Sequence, residues 1–243
     1  MTTRPRLACE LAERPVARVL LALGSWLCSS ACFDVQEVPV DPAEPRPAPH
    51  QALLIDDFED GDVRPSSAAF AAWRCTTYNP GPGLQPVKCG PAAEGFDSPH
   101  GYSLWAELHD EPNGALEYPG ASLFAPTPAA TLFDASPYEM LRFSAKLTLD
   151  GALAGEGSSV SVTLSCDGAS GGPRSMDNLA LVSADWQHVG LRLADFAQPD
   201  WESERIDSAT CATQISGLSF DFGGLGDGQT GTGTLLVDDV YLQ

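Results

Sequence analysis

Polar and apolar residues alternate with a period of two along much of the chain. Over 140–149 the alternation puts Leu141, Phe143, Ala145, Leu147 and Leu149 on one face, and over 159–166 it does the same for Val160, Val162, Leu164 and Cys166. Residues 101–108 and 115–118 repeat the pattern. Successive side chains of a strand point to opposite faces, so this is the pattern of antiparallel strands with one buried face. Runs rich in β-formers at 53–58, 69–75, 186–193, 215–222 and 234–243 add further strands. The Gly/Pro-rich excursion at 78–86 is not regular structure. No stretch beyond residue 50 has helical periodicity. The pattern predicts an all-β fold, a sandwich built as one domain over 51–243.

The first and last of these strands are both acidic. If they pair, Asp56, Asp57, Glu59 and Asp60 approach Asp238 and Asp239. Gathered carboxylates repel unless a hard cation sits among them, and calcium takes oxygen ligands in this way. Asp57, Glu59, Asp60, Asp238 and Asp239 are therefore candidate ligands of a structural calcium ion. The spacing is not that of an EF-hand, because counting from Asp56 puts Phe58 third and Ser67 twelfth. The alternative is a solvated acidic surface.

The front of the chain has another character. Arg4, Arg6, Arg14 and Arg18 precede an apolar run at 19–28 that is too short for a permanent membrane span. Ser29, Ser30 and Ala31 follow and end at Cys32. This basic, apolar, small-residue order predicts an export signal over 1–31. Its end resembles a bacterial lipobox, although Ser29 stands where that pattern prefers Leu; the resemblance implies that Cys32 carries lipid. Plain cleavage near Ala31 is the alternative. Residues 32–50, with Pro39, Pro42, Pro45, Pro47 and Pro49, form an extended tether. The expected location is the cell envelope, anchored by lipid in the outer membrane of a Gram-negative bacterium, or the exterior as a secreted protein.

With Cys9 and Cys28 in the signal and Cys32 assigned to lipid, Cys75, Cys89, Cys166 and Cys211 remain. Four cysteines in an exported chain predict two disulfides, and three pairings are open. Closure between near neighbours favours Cys75–Cys89 and Cys166–Cys211. No C-x-x-C occurs to suggest zinc instead. The formal charge of −20 removes nucleic acid and anionic membrane surfaces as electrostatic partners, leaving the lipid as the one link to a membrane.

Residues 55–62 (IDDFEDGD), 136–143 (SPYEMLRF), 185–196 (DWQHVGLRLADF) and 236–242 (LVDDVYL) occur in an order that resembles the successive landmarks of jelly-roll carbohydrate-binding modules of the galactose-binding-domain-like group. The resemblance covers nearly all of 51–243. It implies a jelly-roll sandwich, a calcium near the joined ends with Glu59 and one of Asp238 and Asp239 as nearest ligands, and a tendency to bind sugar. It also implies that Trp186 packs in the core. Trp73, Tyr78 and Trp201, beside or within loops, are the candidate sugar-stacking aromatics, since an indole or phenol offers a flat face to the apolar face of a pyranose. Trp105 alternates with Leu104 and Leu108 and reads as buried.

Two enzyme-like motifs do not survive their context. Residues 168–172 fit G-x-S-x-G but lead into Pro173 rather than a helix, and 226–231 fit G-x-G-x-x-G but lead into a strand. Both read as hairpin loops. The expected function is non-catalytic carbohydrate binding. A surface protein that binds another protein is the alternative from a different class, and a glycoside hydrolase, which would need a pair of carboxylates across a cleft, is the third.

Overall fold

The computed structural model describes residues 52–78, 85–110, 118–129, 131–155, 159–167, 173–200, 202, 205–225 and 228–243. The predicted signal, Cys32, the tether and Trp201 lie outside the described residues.

Among the described residues, eleven strands form two antiparallel sheets facing each other. In chain order they are β1 (Leu53–Asp56), β2 (Arg74–Tyr78), β3 (Val87–Ala92), β4 (Gly101–His109), β5 (Gly120–Pro126), β6 (Met140–Gly151), β7 (Ser159–Asp167), β8 (Pro173–Leu181), β9 (Gln187–Arg192), β10 (Ile215–Gly223) and β11 (Thr230–Leu242). One sheet runs β3-β4-β11-β6-β9, with β1 also on β11; the other runs β2-β5-β10-β7-β8. The all-β sandwich expected from the alternation, a jelly roll as the resemblance implied, is the observed fold. The first and last strands do pair, with Leu53 opposite Leu242 and Leu54 opposite Tyr241.

Each sheet turns its apolar phase inward. Leu104, Leu108, Leu141, Leu147, Leu235 and Val237 from one sheet meet Leu123, Val160, Val162, Leu218 and Phe220 from the other, all buried. Phe58, Trp73, Tyr102, Phe143 and Phe220 form a connected aromatic cluster, with ring centroids 4.9–6.4 Å apart along its contacts. Gly233 on β11 leaves room for the Phe222 ring of β10 in the facing sheet, because a Cβ there would lie 2.3 Å from that ring.

Both disulfides join the pairs that local closure favours. Cys75–Cys89 ties β2 to β3, the edge strands of opposite sheets, and Cys166–Cys211 ties β7 to the short helix α1 (Ser208–Ala212). Strands β3, β5 and β8 and helix α1 lack a legible signal in the sequence. The strand expected at 69–75 begins instead at Arg74.

Candidate functional site

The outer face of the five-stranded sheet carries the candidate site. On β5, Ala121, Leu123 and Ala125 are fully buried against the other sheet, so Ser122, Phe124 and Pro126 face outward. Register then fixes the rows across the sheet. Thr76, Ser122, Asp221, Ser161 and Leu179 form one row; Arg74, Phe124, Ser219, Thr163 and Asp177 form the next. Pro126, Gly217, Ser165 and Ser175 follow on one side, and Tyr78, Gly120 and Gly223 lie on the other. Six residues of β10 separate the end rows, a length of about 20 Å at strand rise. A hollow of about 290 Å³ opens along Ser122, Phe124, Pro126, Ser165 and the 216–219 segment.

Asp221 occupies the middle of this face. Its Oδ2 accepts hydrogen bonds from the hydroxyls of Ser219 (2.9 Å) and Thr163 (3.3 Å). Desolvation nevertheless pushes its carboxyl up to about 6, and the charge of Asp177 adds to the rise; Ser122, Ser219 and Thr163 oppose it. Asp177, two strands away on β8, is raised by desolvation and by Glu202, against a bond from the same Thr163 hydroxyl. Its Oδ1 is buried without a hydrogen-bond partner. Its backbone is held independently, by a two-way bridge to Ala197 (2.8 and 3.0 Å).

Tyr78, one of the candidate sugar-stacking aromatics, lies at the end of this face. Its phenol crosses Gly120, where a Cβ would come within 2.1 Å of the ring. Desolvation of the phenol, then the charges of Asp221 and Asp177, push its pKa above the usual tyrosine value, so the group stays un-ionised. The face therefore has an aromatic end, hydroxyl-lined rows and a carboxylate centre.

Trp73 is a correction. It is 3 % exposed inside the aromatic cluster, and its indole Nε1 donates to Asp56 Oδ2 at 2.7 Å, so it offers no face to a ligand. The residue stands before β2 rather than on its outward phase, and its backbone N–H is tied to Val63 O at 2.8 Å. Trp201 lies outside the described residues. Trp105 and Trp186 depart from their expected burial, because both are half-buried on the outer side of the other sheet. Lys88 Nζ stands 5.4 Å from the Trp105 ring, and Trp186 Nε1 donates to Glu94.

The five calcium candidates divide into separate settings. Asp57 and Asp60 accept from the backbone of Glu59 and Asp62 within the turn after β1, where Glu59 and Asp60 are exposed. Asp238 is 1 % exposed and serves the other side of its strand, accepting from Phe96 N (2.7 Å), Ser98 Oγ (3.1 Å) and Asp239 N (2.8 Å). It anchors the 95–100 loop. Asp239 sits in the β-bulge with φ 50°. Among the described residues no three His, Cys, Asp or Glu side chains gather to hold a metal. Three of the five, Asp57, Asp60 and Asp238, already accept from N–H or O–H groups of the protein, and the five side chains as placed do not form the shared cluster expected from pairing alone.

Asp221, Asp177 and Phe124 were not singled out in the sequence. Asp221 had a signal there: it is the one charged residue of β10, between Phe220 and Phe222.

No protein-family profile and no curated protein matches the chain. Solved structures do. The family 11 carbohydrate-binding module of cellulosomal cellulase Lic26A-Cel5E of Clostridium thermocellum aligns over 79 % of this chain and 93 % of its own, with a TM-score of 0.50 at 14 % identity. A family 11 module from Clostridium thermocellum in complex with a β-1,3-1,4-mixed-linked tetrasaccharide aligns over 79 % and 94 %, with a TM-score of 0.49 at 15 % identity. The CBM27-1 module of Caldicellulosiruptor saccharolyticus in complex with mannohexaose aligns over 79 % and 96 %, with a TM-score of 0.43 at 16 % identity. At these identities the likeness is one of fold.

Proposed function

We propose that the chain is a non-catalytic carbohydrate-binding module that takes a polysaccharide or glycoconjugate on the outer face of its five-stranded sheet. The observation that carries this reading is the combination on one face of ring surfaces, at Tyr78 and Phe124, with rows of serine and threonine hydroxyls around Asp221. A pyranose presents an apolar C–H face and a rim of hydroxyls that both donate and accept. Aromatic rings match the first, and fixed carboxylates and hydroxyl rotors match the second. The length of the face suits an extended chain of sugars rather than one. The shared fold with the cellulase module supports the same reading.

The carboxylates do not favour hydrolysis. A glycosidase places its two carboxyl groups on opposite sides of the scissile bond. Asp221 and Asp177 share one hydroxyl donor on one floor, so both meet a ligand from the same side.

A glycan array probed with the purified chain tests the reading, and a chain that binds no glycan overturns it. Tyr78→Ala should weaken binding to any array hit by about tenfold, or 1.4 kcal/mol. Gly120→Ala should do the same with little change in melting temperature, because its Cβ displaces the free end of the Tyr78 ring. Equal affinity in all three proteins would remove Tyr78 from the site.

The anchoring expectation stands as part of this proposal, carried by the Ser-Ser-Ala-Cys order at 29–32. Expressed in a bacterium, the chain should take up labelled fatty acid and sediment with membranes, and Cys32→Ala should abolish both. Unchanged sedimentation of the variant would place the anchor elsewhere.

A further inference from the structure

Two acceptor atoms at one end of the sandwich have no donor, and they belong to neighbouring side chains. Ala106 and Leu108 of β4 are fully buried, and Asp110 continues their inward phase one residue past the end of the strand, at 6 % exposure. Gln85 stands two residues before Val87, which packs on the core from β3, and is 8 % exposed. Val87 pairs with Ala106, so the same register brings Gln85 opposite Leu108 and diagonal to Asp110. Gln85 Nε2 donates to His109 O at 2.6 Å, and Asp110 N donates to Gln229 O at 2.9 Å, just before β11 begins. One amide and one carboxylate thus sit where the entry of β3, the exit of β4 and the entry of β11 meet.

The His109 carbonyl can only accept, so the Gln85 amide turns its NH2 to that carbonyl and its oxygen away. That oxygen, Oε1, and Asp110 Oδ1 are both buried without a hydrogen-bond partner among the described residues. Nor does Asp110 join an ion pair among them. An ionised carboxylate and an amide oxygen both accept, so neither satisfies the other. A buried carboxylate with neither donor nor countercharge is costly, and a second bare oxygen beside it adds to the cost.

A hard cation satisfies both oxygens at once. Carboxylate and amide oxygens, completed by backbone carbonyls and water to roughly six to eight ligands, are a calcium set, whereas magnesium holds to a stricter octahedron and keeps its waters. Zinc takes nitrogen or sulfur, and the neighbouring His109 turns its imidazole to Glu107 and Thr230 on the outer face. We infer that this end of the sandwich holds a calcium ion, with Asp110 Oδ1 and Gln85 Oε1 as its side-chain ligands. The site is separate from the acidic turn after β1 and from Asp238 and Asp239, which lie toward the far end of β11. The ion ties three strand ends together, so its role is structural and does not depend on sugar binding. A single carboxylate puts its dissociation constant in the weak range of extracellular modules, about 0.1–1 mM.

The test is thermal melting of the purified chain in EGTA, in excess calcium and in excess magnesium. At about 20 times the dissociation constant, linkage raises the folded-to-unfolded ratio about twentyfold. Calcium should therefore raise the melting temperature, magnesium should not, and calorimetry should count one calcium per chain. Asp110→Asn should remove the response. It should also melt no lower than the natural chain in EGTA, because its new NH2 can donate to Gln85 Oε1. Gln85→Ala, at the entry of an edge strand, asks the same question should that variant not fold, and should weaken calcium binding at least about tenfold. Glu59→Gln/Asp60→Asn, in the exposed turn after β1, should keep the full response. The same melting temperature in EGTA and in calcium, or an equal gain from magnesium, overturns the inference. So does a calcium response undiminished in Asp110→Asn or Gln85→Ala. A response lost in Glu59→Gln/Asp60→Asn moves the ion to the β1 turn and overturns it as well.

Discussion

Reduction of the two disulfides should unfold the domain at 37 °C. Cys166–Cys211 spans a sequence separation of 45, and the chain-entropy relation gives about 4 kcal/mol for that closure; Cys75–Cys89 spans 14 and gives about 3 kcal/mol. Domains of this kind are stable by only about 5–15 kcal/mol, so the two together amount to much of the total. The placement of the bonds adds to the argument. β2 and β3 are edge strands, each paired on one side only, and no residue of either is fully buried. Without Cys75–Cys89, one ladder apiece holds them. Denaturant titration of the double variant Cys166→Ser/Cys211→Ser should therefore report a larger loss than Cys75→Ser/Cys89→Ser. The second pair should also lower glycan affinity before global unfolding, because Tyr78 is three residues along β2 from Cys75. A midpoint unmoved by reductant would remove the disulfides from the stability of the fold.

What was legible in the sequence follows from which strands have one wet face. β4, β6 and β7 have one face on the core, and their alternation gave both the strand and its phase, whereas β10 and β11 showed as runs of β-formers. β5 does not alternate because Ala121, Ser122 and Leu123 are all buried, the serine under the hollow and its neighbours in the core. β8 places Met176 and Ala180 inward but Leu179 and Leu181 outward, at 54 % and 55 % exposure, so its apolar residues fall on both phases. β3 carries Gly90 and Pro91, which its edge position tolerates. Helix α1 spans five residues, too few for a helical period, and its one local signal is the Asp207 cap on Thr210 N at 2.8 Å. The pairing of the chain ends was legible for the same reason as the long strands. Where their carboxylates point was not, because the β-bulge at 238–241 decides it and nothing in the spacing announces a bulge.

Trp73 illustrates the difference between a residue near a site and a residue of the site, and its replacement has the second large effect. Trp73→Ala should destabilise the domain by about 3–5 kcal/mol from the lost packing alone. It should cost more in sum, because Asp56, 1 % exposed, loses the indole N–H that meets its Oδ2. Trp73→Phe separates the two effects by keeping a ring in the cluster while removing the donor. Burial already pushes the Asp56 carboxyl up to about 6, against the opposing bonds from Phe58 N and the indole. With its folded pKa above the unfolded value near 4, this group's contribution to stability is fully present below about pH 4. It is lost as pH rises through 6, by about 3 kcal/mol on the two-unit difference. Removing the indole donor raises the folded pKa further and widens that loss. The deficit of Trp73→Phe against the natural chain should therefore be larger at pH 7.5 than at pH 4.5 in denaturant melts. Glycan affinity measured on the folded fraction should stay the same. A Trp73→Phe protein of natural stability that has lost its sugar would return Trp73 to the ligand face.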